Sequence, residues 1–132
     1  MKQKYNAAYL PAIPTIDIRL SQSDEAPWVG PLRAIVDTGS DGTLVPAAAL
    51  AVFRPVETDK IWLRSQWGER RLALVYVLDV HINLIRLPAI RVVSDDRGKE
   101  VILGRDVLNK LRVLLDGPAE TLELLVSKPK RK

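Results

Sequence analysis

Residues 72 to 82, "LALVYVLDVHI", place Leu72, Leu74, Tyr76, Leu78, Val80 and Ile82 at every second position. A helix, with its period of 3.6, would scatter these side chains around its circumference, whereas a strand lines them along one face. Such a strand needs neighbours for its backbone polar groups and a second layer over its apolar face. The chain supplies them. "IPTIDIRL" (13 to 20) alternates Ile16, Ile18 and Leu20 against Asp17 and Arg19. "WVGPLRAIV", "LPAIRVV", "VILG", "RVLLD" and "TLELLV" read as further strands, with "SQSDEAP" and "GPAE" as turn regions. Gly30-Pro31 predicts an irregular or edge position near the start of its strand. The stretch "DKIWLRSQWGERRLALVYVLDVHI" predicts a hairpin tipped by Gln66-Trp67-Gly68-Glu69. Helical signals are short. They are "PAAALAVF" (46 to 53), with Pro46 in the first turn, and "RDVLNKL", with Val107, Leu108 and Leu111 at helical spacing. The expected class is all-β with one or two short helices.

At 132 residues and 47% hydrophobic, the chain suits one domain, residues 1–132, with an N-terminal segment (1–12) and a basic tail (128–132). No run approaches the roughly 18 apolar residues of a membrane span. Pro11 and Pro14 interrupt an N-terminus that lacks a signal-peptide core. The expectation is a cytoplasmic protein without a membrane partner. Cysteine is absent, which removes disulfides, thiolate nucleophiles and Cys-ligated metals from consideration. The net charge of +4 is matched by four cations in the tail alone, Lys128, Lys130, Arg131 and Lys132. Elsewhere both signs are interspersed, as on a solvated surface, so nucleic acid is not an expected partner.

One segment breaks the pattern of apolar strand and polar turn. In "AIVDTGSDGTLVP" (34 to 46), Ala34-Ile35-Val36 runs directly into Asp37. A carboxylate at the end of an apolar strand costs free energy unless something pairs with it or uses it. Catalysis of the Ser-His-Asp or Cys-His kind needs a histidine beside a nucleophile. The single histidine, His81, lies between polar-face neighbours Asp79 and Asn83 and reads as an exposed strand residue. One histidine and no cysteine argue against zinc. Read as a calcium loop, Asp37 to Gly42 would put Ala48 where a bidentate Glu is required. Read as a haloacid-dehalogenase phosphatase motif, "GSDGTL" has Gly39 in the nucleophile's place. No metal and no cofactor are expected.

Asp37-Thr38-Gly39-Ser40 after an apolar strand resembles the active-site turn of pepsin-like and retrovirus-like aspartic proteases. Downstream, "VILGRDVLNKLRVLLD" resembles the apolar-apolar-Gly-Arg-Asp-x-Leu segment of single-domain retropepsins, in the version typical of cellular and prokaryotic members. The predicted hairpin lies between the two motifs, where that family carries its flap. The resemblance implies a retropepsin-like acid protease fold. This is a closed β-barrel or sandwich with a flap hairpin and one short C-terminal helix, assembled as a homodimer. It implies an aspartic endopeptidase acting on polypeptide.

The chemistry agrees with that resemblance. Acid proteolysis activates water between two carboxylates that share a proton, the arrangement for which aspartic proteases are the standard case. This chain holds one Asp-Thr-Gly, so the simplest source of the second carboxylate is another copy across a twofold axis. The resemblance assigns Asp37 as the catalytic acid and base, Thr38 as a bond across the dimer, and Gly39 as an amide donor to Asp37. Ser40 is placed where its hydroxyl can bond the carboxylate. Arg105 and Asp41 resemble an ion pair that braces the dimer beside the groove. Ser40, Asp41 and the tip residues Gln66, Trp67, Gly68 and Glu69 are the expected substrate contacts. Asp106 reads as a helix-start residue. The alternative is a catalytically silent retropepsin-like module for peptide binding or dimerisation.

Overall fold

The computed structural model of the chain describes residues 1–56, 60–64 and 70–125. In order they form β1 (Lys2–Lys4), β2 (Thr15–Gln22), β3 (Glu25–Val36), β4 (Leu44–Pro46), a 3-10 turn (Ala47–Leu50), β5 (Lys60–Arg64), β6 (Arg70–Ile82), β7 (Ile85–Asp95), β8 (Val101–Leu103), α1 (Arg105–Leu108), β9 (Arg112–Asp116) and β10 (Thr121–Leu125). The class is all-β, as the alternation predicts. The flap tip 66–69 and the tail 128–132 lie outside the described residues. No helix among the described residues is long and apolar enough to cross a membrane.

The main sheet runs β2-β3-β8-β4-β7-β6-β5, and an additional β2–β6 pairing closes its first six strands into a barrel, leaving β5 at the margin. Closure removes the open edges that a sheet of this size would otherwise expose. The barrel interior is filled by Ile16, Ile18, Leu20, Leu78, Val80 and Val92, all within 1% of complete burial. β8 lies between β3, to which it is parallel, and β4. Val101 and Leu103 of β8 are buried, which accounts for a strand with no polar residue.

The alternation of β6 holds in two halves with opposite phase. Tyr76, Leu78, Val80 and Ile82 are buried as predicted, but Leu72 and Leu74 are exposed while Ala73 and Val75 are buried. From Arg70 to Leu74 the strand pairs with β5, and only from Val75 onward does it join β7 in the barrel wall. The face that covers the core therefore changes where the strand leaves the barrel.

The region 21–27 is also more extended than the sequence predicts. β2 continues to Gln22 and β3 begins at Glu25, so Ser23 and Asp24 alone make the turn, both with positive φ (53° and 56°). Paired left-handed residues match the twist of the strands they connect. Gly30 behaves as its Gly-Pro context predicts. Its φ is +127°, a Cβ there would lie 2.7 Å from the Ile18 carbonyl oxygen, and the β2–β3 register shifts beside it.

A second, three-stranded sheet has the order β1-β10-β9, all antiparallel. Leu122 and Leu124 of β10 point into the core, where Val107 of α1 is also fully buried. The sheet thus ties the two ends of the chain to the floor of the barrel.

Candidate active site

β3 ends at Val36 and its parallel ladder with β8 continues one step further. The Asp37 N–H donates to the Leu103 carbonyl at 3.1 Å. A residue with a charged side chain is thereby fixed at the end of a strand seated against buried β8. The chain then reverses, with the Ser40 N–H donating to the Asp37 carbonyl at 3.2 Å. This brings the Gly39 N–H to 2.9 Å from Asp37 Oδ1. A Cβ on Gly39 would stand 3.2 Å from that same oxygen, tighter than ordinary contact. Asp37 is half-buried, with Thr38 and Gly39 exposed beside it. The carboxylate is held from behind by an amide and open in front.

The turn is clamped from below by the segment that follows β8. A Cβ on Gly104 would overlap the Gly42 carbonyl, so the two backbones meet only because Gly104 carries no side chain. The Arg105 N–H donates to the Ser40 carbonyl at 2.9 Å, and Arg105 Nη1 donates to the Thr38 carbonyl at 2.7 Å. Arg105 Nη2 also forms an ion pair with Asp41. That pair is exposed and contributes little to stability by itself. Its geometric value is that one guanidinium holds two points of the Asp37 turn.

Asp106 does more than start a helix. Its Oδ1 accepts from the Thr43 hydroxyl at 2.8 Å and from the Val107 N–H at 2.9 Å, while Oδ2 faces the Thr43 N–H at 3.3 Å. Thr43 is fully buried, and its Oγ1 in turn accepts from the Gly104 N–H at 3.2 Å. The Thr43–Asp106 link is a site feature that the sequence reading missed. The available signal was a threonine just after the Asp-Gly of the turn and an acid next to the arginine. Ser40 departs from expectation in the other direction. Its hydroxyl donates to the Gly42 carbonyl at 2.7 Å and braces the loop, instead of bonding Asp37.

Thus Asp37, Thr38, Gly39, Ser40, Asp41 and Arg105 come together in one unit. Gln66, Trp67, Gly68 and Glu69 lie outside the described residues. A hollow of about 200 Å³ adjoins the turn, lined by Val36, Thr38, Leu108, Val113 and Leu115 among others. Larger hollows border Asp17 and Arg33, and Leu84 and Leu124, with no residue of the Asp37 turn in their walls. Size alone does not mark this site.

His81 is not the exposed strand residue its polar neighbours predict. Its side chain is only 12% exposed, stacks on Trp28 with ring centroids 4.0 Å apart, and bonds the Ser21 hydroxyl at 2.8 Å. Asp24 and Asp79 complete the group. Burial pushes the Asp79 carboxyl up, but hydrogen bonds from Arg86 and the Ala89 N–H, with the charge of Arg86, outweigh this and hold it below its usual value. With a guanidinium seated on one carboxylate oxygen at 2.8 Å, the cluster is an ion-pair network suited to closing the β2–β3 hairpin on the barrel.

A scan against protein-family models finds no match, and neither does a search of curated proteins. Solved structures do match. A retropepsin-like aspartic protease from Rickettsia conorii aligns with TM-score 0.64 at 15% identity, over 94% of this chain and 88% of that one. A retroviral protease-like domain from Leishmania major aligns with TM-score 0.45 at 14% identity, over 85% of this chain and 89% of that one. The chain has a retropepsin-like fold.

Proposed function

We propose that the protein is an aspartic endopeptidase that works as a homodimer, each subunit contributing one Asp37. One carboxylate of the pair is ionised and takes a proton from the water that attacks the scissile carbonyl. The other delivers its proton to the carbonyl oxygen. As the C–N bond breaks, the proton taken from water passes to the leaving amine and the second carboxylate recovers one from the tetrahedral hydroxyl. Ser40 and Asp41 flank the groove that receives the peptide. Arg105 and Asp106 are positioning residues that act through the turn. The reading is carried by a carboxylate at the end of β3 that accepts an amide hydrogen bond on a turn clamped at both its ends.

The test is cleavage of a diverse peptide mixture from pH 3 to 7 by the wild type and by Asp37→Asn. The expected result is cleavage that disappears in the variant, because the amide can neither accept the water proton nor share one. Equal cleavage by both proteins contradicts the mechanism. Peptide binding without cleavage by the wild type would favour the silent module.

A further inference from the structure

We infer that the chain carries a docking groove for an extended peptide segment in which acidic residues flank a short aliphatic stretch. The groove lies apart from the Asp37 turn and stands independently of the peptidase reading.

Leu84 is its first sign. β6 ends at Ile82 and β7 begins at Ile85, so Asn83 and Leu84 alone connect them. Asn83 suits its positive φ of 53°. Leu84 has no such local reason, and it is 96% exposed in a turn of the kind that favours Gly, Asn and Asp. Beside it a hollow of about 500 Å³ is walled by Ile85, Leu111, Leu124 and Leu125. Leu125 is itself exposed. Leu84 therefore forms the rim of an aliphatic trough, which is different from a leucine scattered singly over a surface.

Cations stand on either side of the trough. Lys110 and Arg112 belong to its own wall. Met1 and Asn83 are shared with a second hollow of about 400 Å³, which Lys2, Arg19 and Arg33 also line. Among the described residues, no carboxylate lies within ion-pair distance of Lys2, Arg19, Lys110 or Arg112. The acid in these walls is Asp17, and it is already engaged. Gln3 Nε2 donates to its Oδ1 at 3.4 Å, and Arg33 Nε stands 3.7 Å from the same oxygen. Arg19 is also placed in advance. A Cβ on Gly30 would stand 3.1 Å from Arg19 Cγ, so the arginine stem lies against that glycine.

An aliphatic trough between two groups of uncompensated cations is complementary to a peptide with acids on both sides of leucine-like residues. Each hollow has the size of an ordinary ligand cleft. Other occupants fit less well. The trough offers no aromatic ring on which a nucleic-acid base could stack, and a concave surface has nothing to sink into a bilayer. The chain's own continuation past Leu125 ends in Lys128-Pro129-Lys130-Arg131-Lys132, which has the same sign as the rim.

The probe is a fluorescein-labelled peptide, Asp-Glu-Leu-Ile-Leu-Asp-Glu, followed by fluorescence polarisation. Saturable binding is expected, and it should weaken as salt is raised from about 50 to about 500 mM. Leu84→Asp and Arg19→Glu change exposed side chains, and each should weaken binding by about tenfold. The fully exposed control Leu10→Asp should leave it unchanged. Peptides with Lys in place of each acid, or Ser in place of each aliphatic residue, should not bind. Absence of binding, or equal binding by Leu84→Asp and Arg19→Glu, overturns the inference. Sedimentation of the same proteins tests a rival occupant. A dimer dissociated by these two variants, with no peptide bound, would give the groove to a second copy and overturn the inference. Capture by phosphatidylglycerol vesicles in place of the peptide would give it to a lipid surface and overturn the inference equally. None of these outcomes bears on cleavage, which the Asp37→Asn comparison decides by itself.

Discussion

Asp37 was legible from the sequence because an acid directly after an apolar strand has no inexpensive structural excuse. Asp106 was not, because its role depends on a partner in space. It lies 63 positions from Thr43 in the chain, and the fold brings Thr43 to its carboxylate. With Thr43 buried, removal of its acceptor leaves a hydroxyl and an amide with unmet donors. Asp106→Ala should therefore cost about 1–3 kcal/mol in chemical denaturation. It should also lower kcat more than it raises KM, since the turn that carries Asp37 loses its lower anchor. Asp106→Asn retains one acceptor oxygen and should lose less than half as much. Equal stability of all three proteins would remove the clamp from the account. His81 shows the same limit in reverse. Polar neighbours in sequence imply an exposed ring, and only the hairpin that brings Trp28 and Ser21 over it reveals otherwise.

The strands themselves follow from periodicity, and β2, β8, β9 and β10 lie where the alternation or the apolar run places them. What periodicity cannot report is which side of a strand the core occupies along its length. β6 keeps its alternation throughout, yet its exposed set changes near Val75, where its partners change from β5 to β7 and β2. Leucines of one sequence pattern thus differ in energetic weight. Leu78→Ala, at a fully buried position in the barrel wall, should cost about 2–5 kcal/mol. Leu74→Ala, at 39% exposure, should change stability by about 0.5 kcal/mol or less. Thermal or urea unfolding of the two variants decides the matter, and similar losses would mean that both leucines are core. The tight Ser23-Asp24 turn was hidden for a related reason. A run of polar residues reads as loop, although a two-residue left-handed turn with extended flanks accommodates them equally well.

Taken as a whole, the molecule has a closed barrel, a small sheet of β1, β10 and β9, and the Asp37 carboxylate at the junction of β3 and β8. A barrel of this kind could fold alone, but the proposed chemistry could not proceed in it, because a water held by a single carboxylate lacks its second proton partner. Activity is thus a property of the pair. The most direct measurement holds the wild-type concentration fixed, well above that needed for dimers, and adds Asp37→Asn protein with time for subunit exchange. Random pairing then determines how many wild-type chains meet a wild-type partner. An equal amount of variant should reduce peptidase activity to about one half, and a ninefold excess to about one tenth, because the mixed dimer holds one carboxylate. Activity that stays constant as the variant is added would show that one chain carries a complete site, and would contradict the account.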